Sequence, residues 1–209
     1  MAHLVDGVLS MPVLAAGAVV AAAAVGYGLR RIGAERLPYV GLMSAAFFVA
    51  SLVHIPVGPS NVHLILNGLL GVVLGWAAVP AIFTGLLLQA MFFGYGGITV
   101  LGVNTLIMGL PAVACWYLFA RPMRDGEPFV WGAAAGAGAI VMTCGGVALA
   151  LALSGREFLP AAQLVCVAHL PVVAVEAMLT GTIAAFLRQV KPEVLSLSLP
   201  MLRRAPADA

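Results

Sequence analysis

The chain has 209 residues, of which 63% are hydrophobic and 9% charged, and its mean hydropathy is +1.10. This composition excludes an ordinary soluble globular protein, because too few polar residues are present to cover its surface. The net charge of +2 is spread between apolar stretches and forms no basic face, so a nucleic-acid partner is not expected.

Seven apolar stretches predict seven membrane-spanning helices, since about 20 apolar residues cross a ~30 Å hydrocarbon core. In chain order they cover residues 11–29, 38–54, 62–74, 77–93, 103–119, 129–153 and 159–190. The boundary between the third and the fourth rests on Gly75-Trp76, and a single bent helix is the alternative. The sequence thus predicts an all-α polytopic membrane protein, with residues 1–190 as one membrane-embedded domain and residues 191–209 as a polar cytoplasmic tail.

The positions of the basic residues predict how these helices are oriented. Lys and Arg in short loops favour the cytoplasmic side. With the N-terminus outside, every basic residue except Arg156 falls inside: Arg30, Arg31, Arg36, Arg121, Arg124, Arg188, Lys191, Arg203 and Arg204. The C-terminus is then cytoplasmic. No basic region precedes the first stretch, as one would in a signal peptide, so we expect this stretch to stay in the mature protein.

The histidines all fall in the outer half of the predicted topology, and they are His3, His54, His63 and His169. Neutral imidazole is a common ligand of late transition metals, so this clustering favours a metal site. The cysteines lie inside apolar stretches without a CxxC or CxxH pattern and are interpreted as small buried hydrophobic residues: Cys115, Cys144 and Cys166.

The N-terminus, Met1-Ala2-His3, has a histidine close to a free amine. Such a segment chelates a metal through the amine, one or more backbone amide nitrogens and the imidazole, and nickel(II), copper(II) and cobalt(II) favour nitrogen-rich sites of this kind. The alternative is that His3 is a polar residue on a frayed tail.

A second pattern is the segment from His54 to His63, which contains two prolines and a glycine. It predicts a stiff outer turn, with the third helix starting near His63 and Ser60 or Asn61 as its cap. The alternative is that both histidines are amphipathic anchors at the membrane interface. A glycine-rich stretch before the fifth helix, residues 92–104, is expected to be either a flexible tight loop or a lid over an outward-facing site.

His169 and Glu176 lie in the last predicted helix, seven positions apart and therefore on one helix face. Glu176 is the only carboxylate predicted deep in the membrane, where an ionised group needs a partner. Structural contact between helices and a functional role are both open for this pair. Pro171 is expected to loosen the helix nearby.

Enzyme signatures are missing from the sequence: it contains no HExxH, no GxSxG and no Walker loop. We therefore do not expect an enzyme, and any energy source should be a partner or an ion gradient.

Four segments together resemble the CbiM/NikM family, the cobalt/nickel-binding S components of energy-coupling-factor importers. They are the N-terminal His-Leu-Val-Asp-Gly-Val-Leu-Ser, the turn Gly-Pro-Ser-Asn-Val-His-Leu at residues 58–64, the stretch Gly-Gly-Ile-Thr-Val-Leu-Gly-Val-Asn at residues 96–104, and His169-Leu170-Pro171 followed by Glu176. The resemblance covers the chain to about residue 190.

This resemblance implies a seven-helix bundle in the bacterial cytoplasmic membrane that holds Co²⁺ or Ni²⁺ as transported substrate, with no organic cofactor. The implied ligands are the N-terminal amine, a main-chain amide, His3 and His63. Many members carry histidine directly after the initiator Met, whereas Ala2 intervenes here, so whether Met1 or Ala2 supplies the amine is open. Residues expected around the site, in supporting or gating roles, are His54, Asn104, His169 and Glu176.

The resemblance also implies partners: cytoplasmic ATPase subunits, a transmembrane scaffold subunit and a small accessory membrane subunit. We predict a subunit that captures the ion from outside. The alternatives are an autonomous ion-coupled carrier with His169 and Glu176 as a proton relay, and an assembly subunit in which the histidines are incidental.

Overall fold

A computed structural model describes residues 4–57, 60–155 and 158–196, and for residues 54–57, 60–62, 159, 161, 162 and 196 it describes the backbone alone. Met1, Ala2, His3 and Arg156 therefore lie outside the described residues. The elements are α1 (Met11–Leu29), α2 (Leu37–Ala50), β1 (His54–Val57), β2 (Ser60–His63), α3 (Asn67–Leu74), α4 (Ala78–Phe93), α5 (Leu101–Asp125), α6 (Pro128–Ser154), α7 (Leu159–Ala168) and α8 (Leu170–Val190). Short 3-10 helices cover Ala34–Arg36, Gly75–Ala77 and Pro192–Ser196.

The predicted class, a helical multi-pass membrane protein, is confirmed. Within the described ranges, four single helices of 19 to 27 residues are long and apolar enough to cross a membrane: Met11–Leu29, Leu101–Asp125, Pro128–Ser154 and Leu170–Val190. A fifth apolar stretch, Asn67–Phe93, consists of α3, a 3-10 helix and α4. α2 has 14 residues. At 1.5 Å per residue it is about 21 Å long, shorter than the ~30 Å hydrocarbon core.

Helix α3 runs in the same direction as α5. Asn67 Nδ2 donates a hydrogen bond to the Met108 carbonyl at 3.1 Å, and Trp76 Nε1 donates to the Tyr117 hydroxyl at 3.1 Å. Both pairs are 41 residues apart in sequence, so the two segments advance together. All eight residues of α3 are buried.

The chain then reverses, and α4 runs against α5 in the opposite direction. Val79 packs on Gly109, where a Cβ would lie 3.4 Å from Val79 Cγ2. The partner on α5 is Tyr117 for Trp76 but Gly109, eight residues earlier, for Val79. The reversal uses Gly75, whose φ of 61° and ψ of −130° suit a residue without a Cβ. The predicted split at Gly75-Trp76 is confirmed, and the bent-helix alternative is wrong.

The predicted third helix is corrected in its start and length. The segment before it forms an antiparallel hairpin of β1 and β2, and α3 begins at Asn67, so neither Ser60 nor Asn61 caps a helix there. With eight residues, about 12 Å, α3 alone does not cross the hydrocarbon core. The predicted seventh helix is likewise interrupted at His169 between α7 and α8, where Pro171 in the first turn of α8 lacks the N–H of a continuous helix.

The basic residues that the structure describes gather at one end of the bundle. Arg188 Nη1, near the end of α8, donates to the carbonyls of Arg124 and Gly126 at the end of α5. The opposite end carries the N-terminal segment, whose Ser10 N–H donates to Ser154 Oγ at 3.2 Å. The positive-inside rule assigns the basic end to the cytoplasm, in agreement with the predicted orientation.

The buried core continues past residue 190, where the sequence predicted that the tail begins. Val194 and Leu195 in the last 3-10 helix are buried within the main hydrophobic cluster. The packed part of the chain therefore extends at least to Leu195.

Candidate functional site

The first described residue, Leu4, is held inside the bundle by Asn104 of α5. Asn104 Oδ1 accepts a hydrogen bond from the Leu4 N–H at 2.9 Å, and Asn104 Nδ2 donates to the Leu4 carbonyl at 2.9 Å. Leu4 is 7% exposed and Asn104 is 2% exposed. The two bonds fix both polar groups of one residue, so the peptide directly after His3 has a defined place in the bundle.

Asp6 attaches the same N-terminal segment to the glycine-rich loop before α5. The Asp6 N–H donates to the Gly96 carbonyl at 3.0 Å, while Asp6 Oδ1 accepts bonds from Thr99 Oγ1 and from the Val100 N–H. A Cβ at Gly97 would overlap the Asp6 carboxylate. The glycine-rich loop is thus a cradle for the N-terminal segment, where the sequence left a flexible loop or a lid open.

His63 is the last residue of β2 and is 2% exposed. Its Nδ1 lies 2.9 Å from the Leu64 carbonyl oxygen. A carbonyl only accepts, so Nδ1 carries the proton in the neutral ring and Nε2 carries the lone pair, the form in which imidazole binds metals. The hairpin register pairs His54 with His63, which places their Cα atoms about 5 Å apart.

Glu176 of α8 holds the backbone that follows His63. Its Oε1 accepts from the Ile65 N–H, and its two oxygens lie 2.9 and 3.1 Å from the Leu66 nitrogen. Leu66 has a φ of 56°, a left-handed conformation that costs an ordinary residue about 1–2 kcal/mol. The carboxylate contacts stabilise this unusual turn into α3.

His169, between α7 and α8, is buried and has its ring orientation fixed. Its Nδ1 lies 2.7 Å from the Val165 carbonyl oxygen, which assigns the proton to Nδ1. Its Nε2 has no hydrogen-bond partner within the part of the chain that the structure describes. The Glu176 carboxylate bonds to backbone amides and not to His169, although the two residues share a helix face.

The structure brings part of the predicted site together. Asn104 and Met108 lie one turn apart on the same face of α5, about 6 Å along the axis, and they anchor Leu4 and Asn67 respectively. The segments that follow His3 and His63 therefore meet on one helix. Among residues 4–57, 60–155 and 158–196, no group of three His, Cys, Asp or Glu side chains is placed to hold a metal.

Two buried polar residues near this region were not predicted. Asn67 donates to Met108 and to Thr143 Oγ1, and Gln89 is fully buried with neither side-chain polar atom hydrogen bonded within the described residues. Their signal in the sequence was a polar amide inside an apolar stretch.

The chain matches a known protein family along nearly its whole length. The family model CbiM, described as "Cobalt uptake substrate-specific transmembrane region", matches residues 3–194. The chain belongs to the CbiM family. The resemblance drawn from the four sequence segments is thereby confirmed.

Known proteins similar to this CbiM-family chain carry transport names. A putative metal transport protein of Haemophilus influenzae is 43% identical over 199 residues, covering 93% of this chain and 97% of that protein. The fused nickel transport protein NikMN of Rhodobacter capsulatus is 41% identical over 121 residues, covering 54% of this chain and 35% of that protein. A crystal structure of a transition metal transporter superposes with a TM-score of 0.78 at 26% identity, covering 90% of this chain and 93% of that one.

Proposed function

We propose that this CbiM-family chain is the membrane subunit that captures Co²⁺ or Ni²⁺ from outside for an ATP-driven importer. The ion is its transported substrate, bound by the amine of Met1 or Ala2, a backbone amide, His3 and His63. Nitrogen-rich ligand sets of this kind suit both metals. The family description and the nickel transport relative support this substrate class.

The observation that carries the proposal is the convergence of two ligand-bearing segments on α5. Asn104 fixes the residue directly after His3, and one turn further the Met108 carbonyl fixes Asn67, four residues after His63. A metal site built from two separate segments benefits when both segments are held in place, because an ordered ligand set loses less entropy on binding. His63 itself is buried and has its ring orientation set by Leu64.

The supporting residues have distinct parts in this proposal. Asn104 positions the N-terminal segment, His54 pairs in register with His63, and His169 offers a buried ring nitrogen on the face of α8 that also carries Glu176. The carrier alternative, with His169 and Glu176 as a proton relay, lacks a favouring contact because the Glu176 carboxylate is bonded to backbone amides.

The proposed energy source is separate ATPase subunits on the cytoplasmic side, coupled through a transmembrane scaffold subunit and joined by a small accessory membrane subunit. The sequence contains no Walker loop, and the chain acts by ligation and movement rather than by covalent chemistry.

Metal analysis of the purified full-length chain tests the proposed site. We expect about one Co²⁺ or Ni²⁺ per chain in the native protein, and a strongly reduced metal content after His3→Ala, after His63→Ala and after a short N-terminal extension. Thr182→Ala is the control, because its exposed hydroxyl donates within α8, to the Met178 carbonyl. Retention of full metal content by the extended protein would contradict the proposed site.

A further inference from the structure

The side chain of Glu176 is completely buried and has no basic partner in the described part of the chain. Its polar contacts are the backbone N–H groups of Ile65 and Leu66, more than 100 residues away in sequence. Burying a carboxylate costs free energy. The position of Glu176 next to the segment that follows His63 therefore points to a specific role.

The contacts of Glu176 and His63 meet on a single peptide group. The Leu64 carbonyl accepts from His63 Nδ1, and the N–H of that same peptide group belongs to Ile65 and donates to Glu176 Oε1. The order is therefore imidazole, peptide carbonyl, peptide N–H, carboxylate. Hydrogen bonds in series polarise each other, so the carboxylate makes the Leu64 carbonyl a stronger acceptor for the imidazole proton.

We infer that Glu176 is a positioning residue for the metal ligand His63, acting through the Leu64–Ile65 peptide group. This role rests on the proposed function, in which His63 binds the ion. A carboxylate that accepts a hydrogen bond from the N–H on the far side of a metal-bound imidazole orients the ring and raises its basicity. Here a peptide group lies between the two, and the second oxygen contact at Leu66 holds the turn that aims His63.

The inference makes α8 part of the metal site. Glu176 projects from α8, whereas His63 ends β2, and the carboxylate links the two. A displacement of α8 relative to the hairpin would break the carboxylate contacts and release the orientation of His63.

The test compares Glu176→Gln with Thr180→Val in the purified full-length chain. Gln keeps the size and one acceptor oxygen but removes the charge, while Thr180 lies one turn further along α8, equally buried, with a hydroxyl that has no hydrogen-bond partner in the described residues. Co²⁺ affinity is measured by chelator competition, and ligand geometry by the visible absorption of the bound Co²⁺. We expect Glu176→Gln to weaken binding by about tenfold or more and to shift the absorption, and Thr180→Val to do neither.

A double-mutant cycle separates positioning from general structural support. In a His63→Ala background, Glu176→Gln should have no further effect on residual metal binding, because the ligand through which it acts is gone. Glu176→Asp, which keeps the charge, is the second variant should Gln impair folding, and its Co²⁺ affinity should lie between those of the native chain and of Gln. Native affinity and absorption in Glu176→Gln, or equal losses with and without His63, would overturn the inference.

The failure of this inference differs from the failure of the proposed function. If His63→Ala leaves Co²⁺ binding intact, the proposed site is wrong regardless of Glu176. If His63→Ala strongly weakens binding while Glu176→Gln and Glu176→Asp are silent, the site stands and the positioning role falls.

Discussion

Replacing Asn104 with Leu should weaken metal binding while leaving the helix bundle folded. The substitution keeps the branched shape and the number of side-chain heavy atoms but removes both hydrogen bonds to Leu4, at 2.9 Å each. A hydrogen bond contributes about 0.5–1.5 kcal/mol net, so the docking of the N-terminal segment should lose about 1–3 kcal/mol. That range corresponds to a factor of roughly 5–150 in the docking equilibrium.

The docking loss translates into metal affinity because His3 precedes Leu4 directly. When only a fraction of molecules has the ligands in place, the apparent Kd rises in inverse proportion to that fraction. We therefore expect Asn104→Leu to raise the apparent Kd for Co²⁺, by at most the docking factor of roughly 5–150. Chelator competition on the full-length chain measures the Kd, and mass spectrometry after limited proteolysis reports how accessible the N-terminal segment has become.

Thr105→Val is the matched control for this prediction. Thr105 is the next residue of α5, is also buried, and its hydroxyl donates to the Leu101 carbonyl of its own helix at 2.7 Å. It should leave both the Kd and the proteolysis pattern unchanged. An Asn104→Leu protein with native Kd and a protected N-terminus would refute the reasoning, because the two Asn104 hydrogen bonds would then contribute nothing to docking.

Two further predictions concern close contacts in the described structure. Gly71→Ala should destabilise the chain by about 1–3 kcal/mol or more, since a Cβ there would overlap the Ala112 carbonyl. Gly26→Ala is the control: a Cβ there has nothing within 4 Å, so the substitution should be neutral or slightly stabilising. Thermal unfolding in detergent measures both variants. Asp6→Ala should raise the apparent Kd for Co²⁺ several-fold without lowering the unfolding temperature of the bundle. The substitution removes the hydrogen bonds from Thr99 and Val100 that hold the N-terminal segment. An unchanged Kd would count against that segment as a source of metal ligands.

The long helices were predictable from the sequence because their signals are local. α1, α5 and α6 begin and end within a few residues of a proline, glycine or arginine that marks the end of an apolar stretch. The exception is the end of α5, which continues to Asp125, beyond the predicted residue 119. That last turn contains Pro122, and its polar residues Arg121 and Arg124 reduced the apolar pattern on which the boundary was based.

The turn between His63 and α3 was not predictable because its cause is distant. Leu66 adopts a left-handed conformation that a leucine does not favour, and no neighbouring residue in the sequence predicts it. The contacts that hold it come from Glu176, 110 residues further along the chain. Asn104 was predicted near the site, but its partner is a backbone group, which has no signature in the sequence.

The proposed ligands belong to two non-helical segments that share α5 as an anchor, and the segment after His63 has a second anchor on α8. Leu4 is tied to α5 by Asn104 and Asn67 is tied to α5 by Met108, while Ile65 and Leu66 are tied to α8 by Glu176. α6 packs between these two helices, and its Gly136 lies so close to the Glu176 carbonyl that a Cβ would overlap it. A sliding of α8 over α6 would therefore break the Glu176 contacts that orient His63, while the Asn104 contacts to Leu4 stay in place. Under the proposed function, such a shift between helices would weaken the metal site without unfolding either ligand segment.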